Sequence, residues 1–167
     1  ASAASALVVI GLVACAPPEK EDTGSQTESG VNAKEATSAA DFGGMDGLVE
    51  AAKAEGQLNV IALPPDWANY GAIIKAFEDK YGIKVNELNP DAGSADEVEA
   101  IKANKDNAGP QAPDVIDVGL AYGPSSKAEG LTQPYKVATW DEIPDNIKDA
   151  DGHWYGDYYG VMSFLVN

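Results

Sequence analysis

Three short apolar runs, spaced by amphipathic stretches, limit the possible folds more than any other feature of the chain. Leu58-Asn59-Val60-Ile61-Ala62-Leu63, Ile83-Lys84-Val85-Asn86-Glu87-Leu88 and Val115-Ile116-Asp117-Val118-Gly119-Leu120 have the length and branched content of buried strands. Ahead of the first, Met45, Leu48, Val49 and Ala52 recur at helical spacing, and Gly56 stands where that helix would stop. Between the first and second, Tyr70, Ile73, Ile74, Phe77 and Tyr81 form one apolar stripe, with Gly82 as a C-terminal stop. Before the third, Ser94-Ala95-Asp96-Glu97 has the Ser-x-x-Glu form of a capping box. It predicts Ser94 as the cap of a helix carrying Val98 and Ile101. Strand–helix–strand–helix–strand is the order of crossover units, so the expected fold is α/β, a mostly parallel sheet flanked by helices.

Open sheets of this kind bind ligands beyond the carboxyl ends of their strands. Three loops qualify: 64–70, 89–94 and 121–126. A short helix is expected near 125–129, closed by Gly130. Residues 152–160, Gly152-His153-Trp154-Tyr155-Gly156-Asp157-Tyr158-Tyr159-Gly160, read as a hairpin with aromatic strands. Tyr158 and Tyr159 would alternate across such a strand, so at most one faces the cleft, and Tyr159 is the candidate.

The remaining candidates each carry a plainer reading beside the functional one. Trp67 follows Pro64-Pro65 in a loop and serves either a ligand or the packing of a helix start. Tyr70 belongs to an apolar stripe, Ser94 to a cap, and Asp117 to a strand end. Tyr122 is a loop aromatic with less claim on the core. His153 reads as a solvated turn residue, and Met45 and Met162 as core.

Residues 16–40 are rich in Ser, Thr, Glu, Gly and Ala and hold almost no large apolar side chains. Such a segment cannot offset its own ordering entropy, which predicts a flexible tether and a folded part beginning near Asp41. The 27 Asp+Glu against 11 Lys+Arg argue against nucleic acid and anionic membrane surfaces as partners, both of which need clustered basic groups. The balance mildly favours a cationic ligand, although most of these carboxylates serve solubility. With Cys15 alone, no internal disulfide forms. The lone His153 has no metal-ligand spacing around it, so neither cofactor nor metal is expected.

The charge-free opening run ends Gly11-Leu12-Val13-Ala14-Cys15-Ala16, and Leu12-Val13-Ala14-Cys15 resembles the lipobox of bacterial lipoproteins. The resemblance implies that 1–14 is the end of a signal peptide. Cys15 would be lipidated and 15–40 would be the tether, placing the protein outside the cytoplasm on a membrane anchor. The apolar run itself is too short to span a bilayer. The absence of an initial Met and the apolar stretch at 161–166 are read as a chain cut at both ends.

From residue 45 onward the chain resembles bacterial extracytoplasmic solute-binding proteins, the receptors of ABC importers. The stretches that carry the resemblance are Gly56-Gln57-Leu58-Asn59-Val60, Ala76-Phe77-Glu78-Asp79-Lys80-Tyr81-Gly82-Ile83-Lys84-Val85 and Ala112-Pro113-Asp114-Val115-Ile116-Asp117-Val118. Glu129-Gly130-Leu131-Thr132-Gln133-Pro134-Tyr135 and Tyr159-Gly160-Val161 follow in the same order. The family fold is two α/β lobes clasping a ligand. The resemblance therefore implies a first lobe over 41–160, and at 161–167 the start of a crossover to a second. It also implies marginal stability for this part alone, a monomer, and a permease as partner.

Within the family the polyamine and ferric-iron receptors look closest. Asp66-Trp67-Ala68-Asn69-Tyr70 resembles the first ligand loop of spermidine/putrescine receptors, in which a Trp and a Tyr three residues on pack against the polyamine. Gly119-Leu120-Ala121-Tyr122 matches their third-strand loop, with Leu120 in place of a Ser. Aromatic faces attract ammonium groups for roughly 0.5–2 kcal/mol each, and Asp66 and Asp117 would add counter-charge. A phosphonate on the helix start at Gly93-Ser94 is the anionic alternative, opposed by Asp96 and Glu97 in that first turn. A ferric receptor would take its tyrosines from later in a longer chain. An exported enzyme on this fold is the rival class, including a thiamine-degrading type with a cysteine nucleophile. Here the only cysteine precedes the domain, and neither a Gly-x-Ser-x-Gly elbow nor a phosphate loop is present.

Overall fold

The computed structural model describes residues 30–105, 107, 109–160 and 163–165. The expectations for the signal segment, for Cys15, for the first half of the tether and for Met162 lie outside the described residues.

The alternation of elements is as the hydrophobic pattern requires. In chain order these are α1 (Met45–Glu55), β1 (Gln57–Ile61), α2 (Tyr70–Tyr81), β2 (Lys84–Leu88), α3 (Ser94–Ala103), β3 (Val115–Ile116) and α4 (Tyr122–Ala128). Gly56 and Gly82 end α1 and α2 in the left-handed region, at φ 76° and 69°. Both positions favour a residue without a Cβ. Among the described residues one three-stranded sheet forms, in the order β2-β1-β3, with both pairings parallel. Leu58 faces Val85 and Ile61 faces Leu88 on one side of β1, and Val60 faces Val115 on the other.

β1 is the central strand and the core follows it. Val60, Ile61 and Ala62 are buried, together with Val85 and Ile83 from β2's side and Val98 of α3. Asn59 is buried within the same strand. Its side-chain oxygen accepts from Gln57 Nε2 (2.6 Å) and Asn86 Nδ2 (3.0 Å). The Asp114 carboxylate accepts the Asn59 amide at 2.7 Å, and the Asp114 amide returns to the Asn59 carbonyl at 2.8 Å. A buried polar side chain is tolerated because it is satisfied in this way.

Several local expectations are corrected. β3 keeps regular pairing over Val115–Ile116 alone, and Val115 is 49% exposed, so the third strand is a short edge rather than a buried run. Ile73 of the α2 stripe points outward at 53% exposure, and Met45 is likewise exposed. The α2 face turned inward runs instead through Ile74, Phe77, Glu78 and Tyr81. Residues 152–160 form no hairpin; one antiparallel bridge, Lys148 to Tyr155, is all the ladder they contribute. The ordered part begins before Asp41. Ala36 is buried, the Lys136 amide donates to the Thr37 carbonyl at 2.7 Å, and Asp41 accepts the amides of Thr37 and Ser38.

Residues 131–160 have little regular structure and are held by side chains. Lys127 of α4 bonds Asp149 (2.8 Å) and Asp151 (2.7 Å). Lys148 donates to the Trp140 carbonyl at 3.0 Å and lies over the Trp140 ring. Trp154 packs flat against α4 at Gly123, where a Cβ would meet the ring at 2.9 Å. A Gly123→Ala change adds helix propensity of about 1 kcal/mol, but overpacking against a ring face costs about 1–3 kcal/mol. The expected result is a net loss of stability in urea unfolding. A variant that melts at or above the parent would mean that Trp154 slides freely.

Candidate functional site

The strand order places β1 centrally, and the two crossovers run in opposite directions, from β1 to β2 through α2 and from β2 back past β1 to β3 through α3. The crevice outside the carboxyl ends of β1 and β3 is therefore the topological switch point, where open α/β sheets take their ligands. The residues there come from four separate stretches of chain, the fourth being the C-terminal segment that brings Tyr158.

The first stretch follows β1. Ala62 has φ 59°, and Ala68 and Asn69 have φ 46° and 66° immediately before α2. The fourth non-glycine residue with positive φ, Asn89 at 35°, follows β2. All four described non-glycine residues in this costly region thus sit in the loops that follow β1 and β2, the kind of place where backbone strain accompanies function. The loop is braced internally. The Trp67 amide donates to Pro64 O (3.0 Å), the Tyr70 amide to Trp67 O (2.9 Å), and the Gly71 amide to Pro65 O (3.0 Å). A Cβ on Gly71 would lie 2.7 Å from that Pro65 oxygen, so glycine permits the loop to fold back on the start of α2.

The second stretch is the end of β3, where Asp117 is the hub. Its carboxylate accepts a short hydrogen bond from the Tyr70 hydroxyl and a longer one, 3.4 Å, from the Tyr158 hydroxyl. Its amide donates to Glu97 Oε2 at 3.1 Å. Trp67 closes the group: its ring lies 5.8 Å from Tyr70 and 5.6 Å from Tyr158, the second pair nearly perpendicular at 78°. Trp67 and Tyr158 are 49% and 52% exposed, so about half of each ring is open to an incoming molecule.

The third stretch is the start of α3. The helix is capped one residue earlier than the Ser-x-x-Glu pattern predicts. Gly93 is the N-cap, and the Asp96 carboxylate accepts the Gly93 amide at 3.0 Å. This shift gives Ser94 and Glu97 different duties. Ser94 is the first helical residue, and its hydroxyl accepts the Gly119 amide at 3.1 Å, tying α3 to the loop after β3. Glu97 turns inward and is 1% exposed.

Of the sequence candidates, Trp67, Tyr70 and Asp117 come together. Ser94 and Tyr122 flank Gly119 close by: a Cβ on Gly119 would be 3.9 Å from the Tyr122 ring and 4.0 Å from the Ser94 oxygen. Asp66 is exposed in the loop beside Trp67, with no hydrogen bond or ion pair among the described residues. Tyr159 is corrected. It is 86% exposed and outside the cluster, and Tyr158 takes the place assigned to it. Glu97, Asp157 and Tyr158 are the residues that sequence reasoning missed. The signal for Glu97 was present, since Ser94, Glu97, Val98 and Ile101 share one helical face.

The electrostatics are those of an acidic site without an internal counter-ion. Burial pushes the Glu97 carboxyl up to about 7. The Asp117 amide opposes that shift, and the charges of Asp117 and Asp96 add to it. Partial desolvation, then the Asp117 charge, raises Asp157. Desolvation, then the bond to Asp117, pushes the Tyr70 phenol well above its ordinary range, and desolvation followed by the Asp117 charge raises Tyr158. Both phenols therefore stay protonated and act as donors to Asp117. No lysine, arginine or histidine pairs with Asp117, Glu97 or Asp157 among the described residues. A carboxylate ringed by half-open aromatic faces attracts an organic cation and repels an anion.

One other feature lies apart from this group. A shallow depression of about 190 Å³ is lined by Val31, Asn32, Glu35, Ala36 and Asp41, whose carboxylate is already engaged by Thr37 and Ser38. Among the described residues no group of His, Cys, Asp or Glu side chains has a metal-holding arrangement. No family model matches the chain, and no curated protein is significantly similar to it.

Proposed function

We propose that the chain is a non-enzymatic solute receptor that captures a small organic cation of the polyamine class outside the cytoplasm and delivers it to an ABC permease. Lipid on Cys15 would hold it at the membrane. The mechanism is closure of a lobe over the bound cation, the closed form being the one that docks on the permease.

The observation that carries this reading is the convergence of Trp67, Tyr70 and Tyr158 around Asp117 at the switch point of a parallel sheet. The rings offer faces to the methylenes and the charged ends of an alkylamine, and Asp117 offers the counter-charge. The phosphonate alternative is disfavoured by local chemistry: the Asp96 carboxylate already sits at the start of α3, bonded to the Gly93 amide, and its charge repels an anion there.

Calorimetric titration of the full chain with putrescine, spermidine, ferric citrate and 2-aminoethylphosphonate tests the reading. Polyamine binding is expected, and Trp67→Ala is expected to weaken it about threefold, the loss of one half-exposed cation–π face. Binding of iron or phosphonate alone, with Trp67→Ala indifferent, would discard both the ligand class and the site.

A further inference from the structure

Glu97 sits beneath the cluster without reaching solvent. One of its oxygens accepts the Asp117 amide, and no basic side chain answers its charge. The charged groups that act on it are Asp96 on its own helix and Asp117 at the end of β3. Asp117 is in turn held by Tyr70 at the start of α2 and by Tyr158, and its charge acts on Asp157 of the C-terminal segment. None of them is basic. Two carboxylates this close, one of them buried, do not both ionise readily in a poorly solvated place, and a proton held on the buried one removes the conflict. An ammonium group on Asp117 supplies the countercharge that the fold omits.

Building on the cation-receptor reading, we propose that seating an ammonium group on Asp117 drives a proton off the buried Glu97 carboxyl into solvent, coupling ligand capture to proton release through a residue that the ligand never touches. Glu97 is thus a positioning residue. Protonated or ionised, it presents an oxygen to the Asp117 amide, so the backbone of the site need not move when it titrates. Only its charge changes, and that charge strengthens the hold on the cation.

The test is titration of the full chain with putrescine near pH 7, in two buffers of different ionisation enthalpy. Alkylamines titrate at about 10, near the lysine range, so the ligand's own protons do not enter. The expected result is a buffer-dependent apparent enthalpy that reports release of up to about half a proton per ligand, the share that Glu97 still holds near pH 7. Affinity is expected to rise about three- to tenfold between roughly pH 6 and 7.5. Glu97→Gln keeps an acceptor for the Asp117 amide and is expected to bind with both effects abolished. Binding with no buffer dependence in the parent protein would overturn the proposal while leaving the receptor reading intact. Proton release that persists in Glu97→Gln and disappears in Asp157→Asn would overturn it by assigning the proton to Asp157. No binding of any amine by the parent protein would overturn the receptor reading, and this proposal with it.

Discussion

Asp117→Asn is expected to lower putrescine affinity by about two orders of magnitude at neutral pH while leaving the protein at least as stable as before. The two halves of that expectation have one cause. Removing one member of a partly desolvated, hydrogen-bonded charge pair costs about 2–5 kcal/mol of binding. The asparagine oxygen still accepts from the Tyr70 and Tyr158 hydroxyls, and the backbone amide still reaches Glu97, so the geometry has no reason to change. What disappears is a negative charge beside a buried carboxyl, and its repulsion with it. Calorimetry gives the affinity, and thermal unfolding followed by tryptophan fluorescence gives the stability. A drop in affinity smaller than about threefold would remove Asp117 as the cation's partner. A large drop accompanied by a lower melting temperature would instead point to a collapsed site.

The balance between charge and aromatic contact follows from exposure. Trp67 and Tyr158 keep half their surface in water, so each ring contributes at the modest end of the cation–π range, whereas Asp117 is half-buried among rings that exclude water. The carboxylate is therefore expected to dominate affinity. The rings are expected to discriminate between an alkylamine and a bare metal ion, which has no methylenes to lie on them.

How much of this arrangement the sequence discloses depends on which physical rule governs each residue. α1, α2 and the first two strands are legible because their apolar periodicity is strong and glycines stand at both helix ends. Trp67, Tyr70 and Asp117 are legible because loops at the carboxyl ends of parallel strands must line any crevice the sheet makes. Tyr158 is not. The choice between it and Tyr159 needs a strand with a definite pleat, and residues 152–160 adopt none, being held instead by the Lys127–Asp149 pair and by Trp154 on Gly123. Glu97 is obscured by a rival motif. The Ser-x-x-Glu pattern assigns it to a capping box, and only when Gly93 and Asp96 complete the cap one residue earlier does Glu97 turn inward. The length of β3 is hidden for a similar reason. The run from Val115 reads as six apolar-rich residues, but Asp117 leaves the ladder after two, its carboxylate taken up by the Tyr70 and Tyr158 hydroxyls.

Stability is expected to decline as pH rises from about 4.5 through about 7, the reverse of what an acidic protein full of paired carboxylates would do. Glu97 has its folded pKa raised to about 7 from an ordinary 4.5. Below the lower value both states carry the proton, and the contribution to stability is complete. Between the two values the unfolded chain has released a proton that the native state still holds. Above the upper value the native state must bury the charge. A shift of this size corresponds to about 3 kcal/mol of stability lost across the window. Asp157 is displaced in the same direction and adds to the slope. Asp41 and Asp149 are displaced downward, by backbone amides and by Lys127, so their contributions vanish only in acid below the ordinary carboxylate range and leave this window clear. Glu97→Gln is expected to flatten most of the slope. It should match the parent near pH 4.5 and exceed it near pH 8 by about 2–3 kcal/mol in urea unfolding, on the order of 5–10 °C in melting temperature. A variant that keeps the parent's slope would transfer the effect to Asp157. The expected gain also explains what the buried carboxyl costs the free protein. An uncompensated charge under an open aromatic cluster is a destabilising feature that a bound cation would relieve, so the proposed ligand should stabilise the parent more than it stabilises Glu97→Gln, and by a larger margin at pH 8 than at pH 6.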